Sequence, residues 1–212
     1  MNHAAIRIML VDDHAVVRAG FRRLLEQQPD MQVVAECGEG DRAYALFLEH
    51  EPGVVVIDLT MPGVSGLEVI RRIISREPGA RILVFSMHED ASLAERAIQL
   101  GARGYVTKSS APEILTTAVR EVAAGKLYLS SDIATSIAIL KLTGDANPVK
   151  LLSPREFEVF RLLVAGRPVA DIAKSLNLSG KTIANYQTLV KQKLGVGNDV
   201  ELVLLAQRHK LL

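Results

Sequence analysis

The sequence predicts two domains: an α/β domain built on a doubly wound parallel sheet of five strands, followed by an all-α domain of four helices. Three observations support this prediction. Short apolar runs alternate five times with segments whose apolar residues recur at helical spacing. One run, residues 54–57, consists of four β-branched apolar residues, which is typical of a central strand buried on both faces. After the linker that follows residue 142 the alternation stops, and only helical patterns remain.

The elements of the first domain follow from the apolar patterns and from the Pro and Gly residues that end them. We expect strands at residues 6–11, 31–37, 54–57, 81–86 and 104–107. We expect helices that end before Pro29 and Pro52, and further helices at residues 65–77, 91–100 and 111–124. Such alternation favours a parallel sheet with right-handed crossovers, in a flavodoxin-like arrangement.

The segment between the domains combines a helical pattern with a polar stretch. A further amphipathic helix is predicted at residues 131–142, with apolar positions at Ile133, Ile137, Leu140 and Leu142. The turn-forming residues 143–148 follow and are interpreted as the linker. The predicted division is therefore a first domain at residues 1–127, a linker with a helix at 128–150, and a second domain at 151–212.

The helices of the second domain are marked by capping residues. Residues 153–156 form a capping box with proline at the first helical position, and Gly166 ends the helix that begins there. Further helices are expected around residues 169–176, from Ser179 to about Leu194, and from Asn198 onward. About sixty residues in four helices are enough for a small domain that folds alone.

Composition and charge narrow the classes of function. The net charge of +1 combines a local charge of −3 over residues 1–130 with +4 over residues 151–212, so a cation site fits the first part and a polyanion such as DNA fits the last. A single cysteine, Cys37, excludes internal disulfides and suggests a reducing compartment. The apolar runs are too short to cross a bilayer, and charges interrupt the N-terminus before a signal-peptide core can form. We expect a cytoplasmic protein.

Carboxylates follow two strands that should be neighbours in the sheet. Asp12 and Asp13 end the first strand, and Asp58 ends the buried third strand, just before a Pro/Gly loop. In a doubly wound sheet these strand ends meet where ligands bind. A plainer interpretation is that each aspartate only caps a helix or stabilises a loop. The joint occurrence favours a site in which Asp58 is the reactive group.

The expected site has the composition of a phosphoryl-transfer centre. Converging carboxylates need a cation, and oxygen ligands without cysteine or clustered histidine favour Mg²⁺. Asp58 can then act as a nucleophile toward phosphorus. Ser86 and Lys108, at the ends of the next two strands, can donate a hydrogen bond and a positive charge to a phosphoryl group. No histidine has metal-ligand spacing. His88, two residues after Ser86, is close enough in sequence to approach the site, but an ordinary loop histidine is the favoured interpretation.

These motifs resemble the receiver domain of bacterial two-component response regulators over residues 5 to about 125. The residues that carry the resemblance are Asp12-Asp13, Asp58 with Met61-Pro62-Gly63, Ser86, and Gly104-Tyr105-Val106-Thr107-Lys108. It implies that Asp58 accepts phosphate from a sensor histidine kinase. It also implies that Asp13, Asp58 and the carbonyl of Thr60 bind Mg²⁺ while Asp12 acts through water.

The resemblance further implies that Ser86 and Tyr105 form a switch, in which the hydroxyl moves toward the phosphate and the ring turns inward. Considered without the resemblance, Tyr105 is more simply a partly buried aromatic residue on an edge strand. One departure concerns the residue after Lys108, which is Ser109 where many receivers have proline. A cis bond at that position would cost several kcal/mol, roughly 3, instead of about 1.

The helix that Ser179 caps has the features of a DNA-recognition helix. Ile183, Tyr186 or Gln187, Val190 and Leu194 form its inward line, which leaves small, polar and basic residues on the other faces. A short preceding helix and the tight link at residues 177–178 are typical of a helix-turn-helix whose second helix enters the major groove. A generic helical bundle with solvated lysines fits the helix pattern alone about equally well.

The second domain resembles the LuxR-type DNA-binding domain, and the whole chain resembles the NarL/FixJ family. The matching residues include Leu152-Ser153-Pro154-Arg155-Glu156, Asp171-Ile172-Ala173, Thr182-Ile183 and Lys193-Leu194-Gly195-Val196. The resemblance implies that Ala184, Asn185 and Thr188 face base edges, and that Lys181, Thr182, Lys191 and Lys193 approach phosphates. The family commonly has lysine at the position of Ala184 and histidine at that of Tyr186. Without that lysine, specificity should depend more on Asn185 contacting adenine.

The resulting hypothesis is a non-enzymatic transcription factor that phosphorylation of Asp58 switches between states. Its expected partners are a sensor histidine kinase, promoter DNA and a second copy of the chain when phosphorylated, with RNA polymerase as a further candidate and no membrane. One alternative is a degenerate receiver whose helical domain binds DNA independently of phosphorylation. Another is a Mg²⁺-dependent phosphohydrolase with an aspartyl-phosphate intermediate.

Overall fold

The computed structural model of the chain describes residues 5–61, 63–142 and 148–209. Contacts within the chain divide it into two compact units, Met1–Ile139 and Leu140–Leu212. Pro62 and residues 143–147 lie outside the described residues. The second of these gaps includes most of the turn-forming stretch at residues 143–148. Among the described helices, none combines the length and the apolar character that spanning a bilayer requires.

The first unit contains a parallel sheet, as predicted. Its strands are β1 (Ile6–Val11), β2 (Met31–Cys37), β3 (Val54–Ile57), β4 (Ile82–Ser86), β5 (Gly104–Thr107) and β6 (Tyr128–Leu129). Among the described residues the order across the sheet is β2-β1-β3-β4-β5-β6, and each neighbouring pair is parallel. The first and third strands are therefore neighbours, which is the relationship that the predicted carboxylate site requires.

Helices connect the strands and build the second unit. The first unit contains α1 (Ala15–Glu26), α2 (Gly40–His50), α3 (Gly66–Arg76), α4 (Ala91–Gln99) and α5 (Pro112–Ala123), and α6 (Ser131–Leu142) follows β6. A 3₁₀ turn at Pro148–Leu151 precedes α7 (Pro154–Val164), α8 (Val169–Ser175), α9 (Gly180–Leu194) and α10 (Asp199–Arg208). These elements confirm the predicted α/β domain followed by four helices.

The prediction of five strands was one strand short. Tyr128 and Leu129 add a sixth strand, because the Tyr128 amide donates to the Arg103 carbonyl and the Ser130 amide donates to the Tyr105 carbonyl. Two residues are too few to show the alternation that identifies a strand in sequence. The consequence is that β5 has a partner on each side.

The core of the first unit is an apolar sheet packed against helices. All four residues of β3 are buried, as the β-branched run predicted. One face of the sheet packs against α1 and α5, and the buried side chains of these helices include Leu25, Leu115 and Val119. The rings of Phe21 and Phe85 meet edge to face with centroids 4.5 Å apart, which fixes α1 over β4. This packing holds the carboxyl ends of the strands in a rigid frame.

The second unit has its own small core and the capping that the sequence predicted. Val159, Ile172, Ala173, Leu176 and Ile183 form a buried cluster joining α7, α8 and α9. The capping box of α7 is present, with the Glu156 amide donating to the Ser153 hydroxyl and the Ser153 amide donating to the Glu156 carboxylate. Asn198 caps α10 by accepting a hydrogen bond from the Glu201 amide.

Candidate functional site

The predicted carboxylates converge at the carboxyl edge of the sheet. The amide of Asp58 donates to the carbonyl of Val11, which places the end of β3 directly beside the end of β1. Asp12 and Asp58 are only 6% and 4% exposed. Candidate ligand atoms of Asp12, Asp13, His14 and Asp58 all lie within 4.8 Å of one another. The strand order therefore gathers acidic oxygens from two separate segments of the chain.

Lys108 neutralises two of these carboxylates. Its Nζ atom lies 2.5 Å from Asp58 Oδ2 and 2.6 Å from Asp12 Oδ2, and its side chain is 6% exposed. Burial by itself would lower the pKa of Lys108, but the hydrogen bonds to Asp12 and Asp58 outweigh burial and raise the pKa above its usual value. Lys108 therefore stays protonated at neutral pH and can serve as a fixed positive charge.

The acidic cluster has the chemistry of a site for a hard divalent cation. Carboxylate oxygens from neighbouring strand ends supply the type of ligand that Mg²⁺ and Ca²⁺ prefer. Asp13 is partly exposed, so a cation held there could retain water and share its coordination with a phosphate. His14 joins the cluster through Nδ1, 2.8 Å from Asp13 Oδ1.

The loop after Asp58 is shaped by a hydrogen bond and by a glycine. The Thr60 amide donates to Asp58 Oδ1 at 3.2 Å, which turns the loop back over the carboxylate. Gly66, the first residue of α3, packs directly against the backbone of Asp58 and Leu59. A Cβ atom at Gly66 would overlap the Asp58 carbonyl oxygen. Glycine is therefore required for the close approach of α3 to the reactive residue.

Ser86, His88 and Tyr105 form one hydrogen-bonded group next to this loop. The His88 amide donates to the Ser86 hydroxyl at 3.4 Å, and the Tyr105 hydroxyl donates to the His88 carbonyl at 2.9 Å. The His88 ring lies 2.8 Å from the Thr60 hydroxyl through Nε2. His88 thus connects the loop after Asp58 with both residues of the predicted switch.

The simpler interpretation of Tyr105 was wrong in two respects. Its side chain is fully buried instead of partly buried, and β5 is not an edge strand because β6 pairs with it. The structure therefore has the ring in an inward position. The peptide bond between Lys108 and Ser109 is trans, as are all peptide bonds in the part of the chain that the structure describes.

Helices α8 and α9 of the second unit have the predicted helix-turn-helix geometry. Asn177 adopts a left-handed conformation with φ of 51°, and the Leu178 amide donates to the Ala173 carbonyl. Ser179 then caps α9 by accepting a hydrogen bond from the Thr182 amide at 3.1 Å. Ile183, Val190 and Leu194 are buried, as expected for the inward line.

The residues predicted to contact DNA fall into two groups. Lys181, Ala184, Asn185 and Thr188 are exposed on one face of α9, and Thr182 is half-buried beside Ser179. Lys191 and Lys193 instead form ion pairs inside the domain, each 2.7 Å long, with Asp199 and Glu156 respectively. The exposed face is available for a ligand, whereas these two lysines already have carboxylate partners.

Comparison with protein-family models assigns both units. Residues 8–120 match the response regulator receiver domain, and residues 150–206 match the bacterial regulatory proteins of the luxR family. The receiver match alone covers more than half of the chain. The chain belongs to the two-component response regulator family.

The response regulator is similar to characterised proteins along nearly its whole length. It is 37% identical over 208 residues to the response regulator UvrY of Escherichia coli strain K12, covering 97% of this chain and 95% of the relative. It is 40% identical over 208 residues to the transcriptional activator protein ExaE of Pseudomonas putida, covering 97% of both chains. These identities place both domains in one family of transcriptional regulators.

Solved structures of RcsB share the fold, and the first of the two compared is from Salmonella enterica serovar Typhimurium. RcsB bound to promoter rprA in the presence of the phosphomimetic BeF₃⁻ is 30% identical, with a TM-score of 0.68, and covers 95% of this chain and 98% of that chain. A second structure contains two RcsB dimers bound to two parallel DNAs, with 30% identity, a TM-score of 0.61, and coverage of 96% and 98%. The response regulator therefore has known relatives of the same architecture.

Some contributing residues were not apparent from sequence. His88 was interpreted as an ordinary loop residue, yet it bonds to Thr60, Ser86 and Tyr105. Arg18 was not noticed, although its guanidinium donates to the Asp12 carbonyl at 2.5 Å and so supports the acidic loop. The position of His88 two residues after Ser86 was a signal of proximity to the site, whereas the contact of Arg18 depends on how separate segments meet in the folded domain.

Proposed function

We propose that a sensor histidine kinase phosphorylates Asp58 of this response regulator and thereby switches its dimerisation and its binding to promoter DNA. One observation carries the proposal: the buried Asp58 carboxylate is bound by Lys108 and lies among acidic groups of β1. Phosphoryl acceptance requires a carboxylate beside a fixed positive charge and beside oxygen ligands for a metal ion.

The proposed chemistry is an in-line transfer to a carboxylate. An Asp58 oxygen bonds to phosphorus while the bond from phosphorus to the imidazole nitrogen of a phosphohistidine breaks, and the imidazole leaves with the bonding electrons. Lys108 pairs with a phosphoryl oxygen in place of one carboxylate oxygen. The Ser86 hydroxyl donates to another phosphoryl oxygen after it moves away from the His88 amide. These groups act by position and charge.

We propose Mg²⁺ as the cation, with Asp13, Asp58 and the Thr60 carbonyl as protein ligands and Asp12 acting through water. When bound, the ion neutralises the charge that the phosphoryl group brings to the site. Lys108 contacts one oxygen of Asp12 and one of Asp58, so its amino group would have to share or release these oxygens when the ion binds. The oxygen donors of the cluster support Mg²⁺ over a softer metal.

In the second unit, we propose that α9 enters the major groove with Ala184, Asn185 and Thr188 toward base edges. Lys181 and Thr182 lie at the start of that helix, where phosphate contacts position a reading helix. Lys191 and Lys193 would reach phosphates only by exchanging their carboxylate partners for DNA. We propose that residues 151–212 form the DNA-binding domain and residues 1–127 the receiver domain. We also propose that the protein acts in the cytoplasm.

Dimerisation is part of the proposal because one small basic domain makes few phosphate contacts. Val200 and Leu204 are exposed by 70% and 53% on α10, which supports this helix as a contact between DNA-binding domains. RcsB, a relative of the same architecture, was solved as dimers on DNA. RNA polymerase is a further candidate partner of the bound dimer.

Mass spectrometry of the intact protein tests the proposal. After incubation with Mg²⁺ and a small phosphodonor such as acetyl phosphate, wild type should gain one phosphoryl group that hydroxylamine removes, as expected of an acyl phosphate. Asp58→Asn should gain none. Rapid, continuous release of phosphate by wild type would favour the alternative phosphohydrolase, and an adduct-free wild type would favour the degenerate receiver.

A further inference from the structure

The buried hydroxyl of Thr107, the residue before Lys108, is the centre of a group of polar side chains that extends to the surface. Thr107 is 1% exposed. Its Oγ1 atom lies 3.1 Å from Asp132 Oδ2, 2.9 Å from Ser110 Oγ and 3.1 Å from Ser109 Oγ. We name Thr107, Ser109 and Ser110 the hydroxyl cluster. It surrounds the segment that carries Lys108 into the phosphorylation site.

The single proton of each hydroxyl determines the direction of these hydrogen bonds. An ionised carboxylate only accepts, so Thr107 must donate its proton to Asp132. The Thr107 oxygen can then accept from Ser110 and from Ser109. Ser109 has one proton to share between Thr107 and Glu89, whose Oε1 lies 3.0 Å away. Asp132 therefore sets the orientation of the whole hydroxyl cluster.

Asp132 is ionised at neutral pH and belongs to another element. Burial would raise the pKa of its carboxyl group, but hydrogen bonds from the Ser130 side chain, the Ile133 amide and the Thr107 hydroxyl together hold the pKa below its usual value. Asp132 lies in the first turn of α6, which begins directly after β6. The carboxylate thus ties the start of α6 to the end of β5.

The segment after Lys108 needs such a restraint. Position 109 is serine, whose backbone φ angle is less restricted than that of proline. The backbone of the segment makes two hydrogen bonds, from the Lys108 amide to the Ser86 carbonyl and from the Ser110 amide to the Thr107 carbonyl. The side chains of the hydroxyl cluster supply further restraints on either side of Lys108.

We propose that Asp132, acting through the hydroxyl of Thr107, positions Lys108 for phosphoryl acceptance, so that the first turn of α6 is part of the phosphorylation machinery. This inference rests on the proposed function. Because coupling between two sites is reciprocal, a phosphoryl group at Asp58 should in turn stabilise the first turn of α6.

The test compares four full-length variants by their initial rates of phosphorylation, measured over a range of phosphoramidate concentrations with Mg²⁺. Thr107→Val and Asp132→Ala remove the two ends of the hydrogen bond, and Thr107→Ser keeps the hydroxyl. Thr135→Val is the matched control, since the Thr135 hydroxyl donates to the Ser131 carbonyl of the same helix.

We expect Thr107→Val and Asp132→Ala to lower the rate at saturating donor about tenfold, the effect of a lost hydrogen bond to a charged group. Thr107→Ser should restore most of the rate, and Thr135→Val should leave it unchanged. Because Asp132 is exposed, its replacement tests the inference even if Thr107→Val does not fold. Rates equal to wild type in Asp132→Ala would overturn the inference.

A second measurement detects the reciprocal effect. Amide hydrogen exchange in the first turn of α6 should slow when BeF₃⁻ and Mg²⁺ are added to wild type, and should not slow in Thr107→Val or in Asp132→Ala. Equal slowing in wild type and both variants would contradict the inference. If wild type itself took up no phosphoryl group, the proposed function would fail instead, so the two failures are distinguishable.

Discussion

Lys108 bridges Asp58 and Asp12, with its Nζ atom 2.5 Å from one carboxylate and 2.6 Å from the other. The amino group neutralises the carboxylate of Asp58, the proposed phosphoacceptor, and it contacts oxygens that the proposed cation site also includes. A phosphoryl group on Asp58 would bring new oxygens for Lys108 to contact. The positive charge of Lys108 therefore pairs with the carboxylates before the proposed reaction and with the phosphoryl group after it.

Replacing Lys108 with glutamine should strengthen Mg²⁺ binding while it weakens phosphorylation. Removing one positive charge a few ångströms from a divalent cation should raise the affinity by more than tenfold, because the two charges repel by several kcal/mol, roughly 4 or more, at an effective dielectric constant of ~20. Calorimetric titration with MgCl₂ measures the affinity. Lys126→Gln, which removes an exposed lysine paired with Glu121, is the control. An unchanged Mg²⁺ affinity in Lys108→Gln would place the cation elsewhere.

Gly66→Ala should destabilise the receiver domain and slow phosphorylation of Asp58. The added methyl group would overlap the Asp58 carbonyl oxygen, and overpacking of this kind costs about 1–3 kcal/mol. The free energy of unfolding is measured by urea denaturation. Gly20→Ala on α1 is the matched control, because nothing lies within 4 Å of its added Cβ. This control should gain up to about 1 kcal/mol from helix propensity. Equal stabilities of the two variants would contradict the prediction.

The sequence predicted five of the six described strands and the helices because each shows its pattern within a short segment, and it predicted the carboxylate site because a doubly wound sheet makes the first and third strands neighbours. The buried run of β3 and the capping box of α7 are examples. The sequence did not predict β6, whose two residues show no periodicity, or the contacts of His88, which join three separate segments. It also did not predict that Lys191 and Lys193 pair with carboxylates, because Asp199 and Glu156 lie on other helices.

Glu156→Gln should destabilise the DNA-binding domain at neutral pH by about 1–2 kcal/mol. Burial would raise the pKa of Glu156, but hydrogen bonds from Lys193 and from the Ser153 amide hold the pKa below the usual 4.5. A lowered pKa stabilises the fold above pH 4.5, and this contribution is lost as the pH falls through the folded-state value.

The difference in unfolding free energy between wild type and Glu156→Gln should therefore shrink as the pH falls below 4.5. This difference is measured by thermal and urea unfolding, with circular dichroism as the probe. Asp171→Asn, at an exposed carboxylate of α8, is the control. A difference in unfolding free energy that does not change with pH would show that the charge of Glu156 does not contribute to the stability of the domain.

Asn185→Ala should reduce discrimination among operator variants at one base pair. Asn185 is exposed on α9 and can bond to adenine in the major groove, a contact that contributes about 1–3 kcal/mol of discrimination. Lys181→Gln is the comparison, because loss of a phosphate contact should weaken binding to all operators about equally and reduce the salt slope by about 0.9. If Asn185→Ala bound the operator variants in the same order of affinity as wild type, base recognition would belong to other residues.

The most direct measurement is the affinity of the full-length protein for promoter DNA, followed by fluorescence anisotropy at fixed salt, with and without a small phosphodonor and Mg²⁺. Wild type should bind at least about tenfold more tightly with the donor, since a phosphorylation-linked shift of 1–3 kcal/mol is typical of such coupling. Asp58→Asn should not respond. Equal affinity of wild type with and without donor, or the same response in Asp58→Asn, would contradict the account.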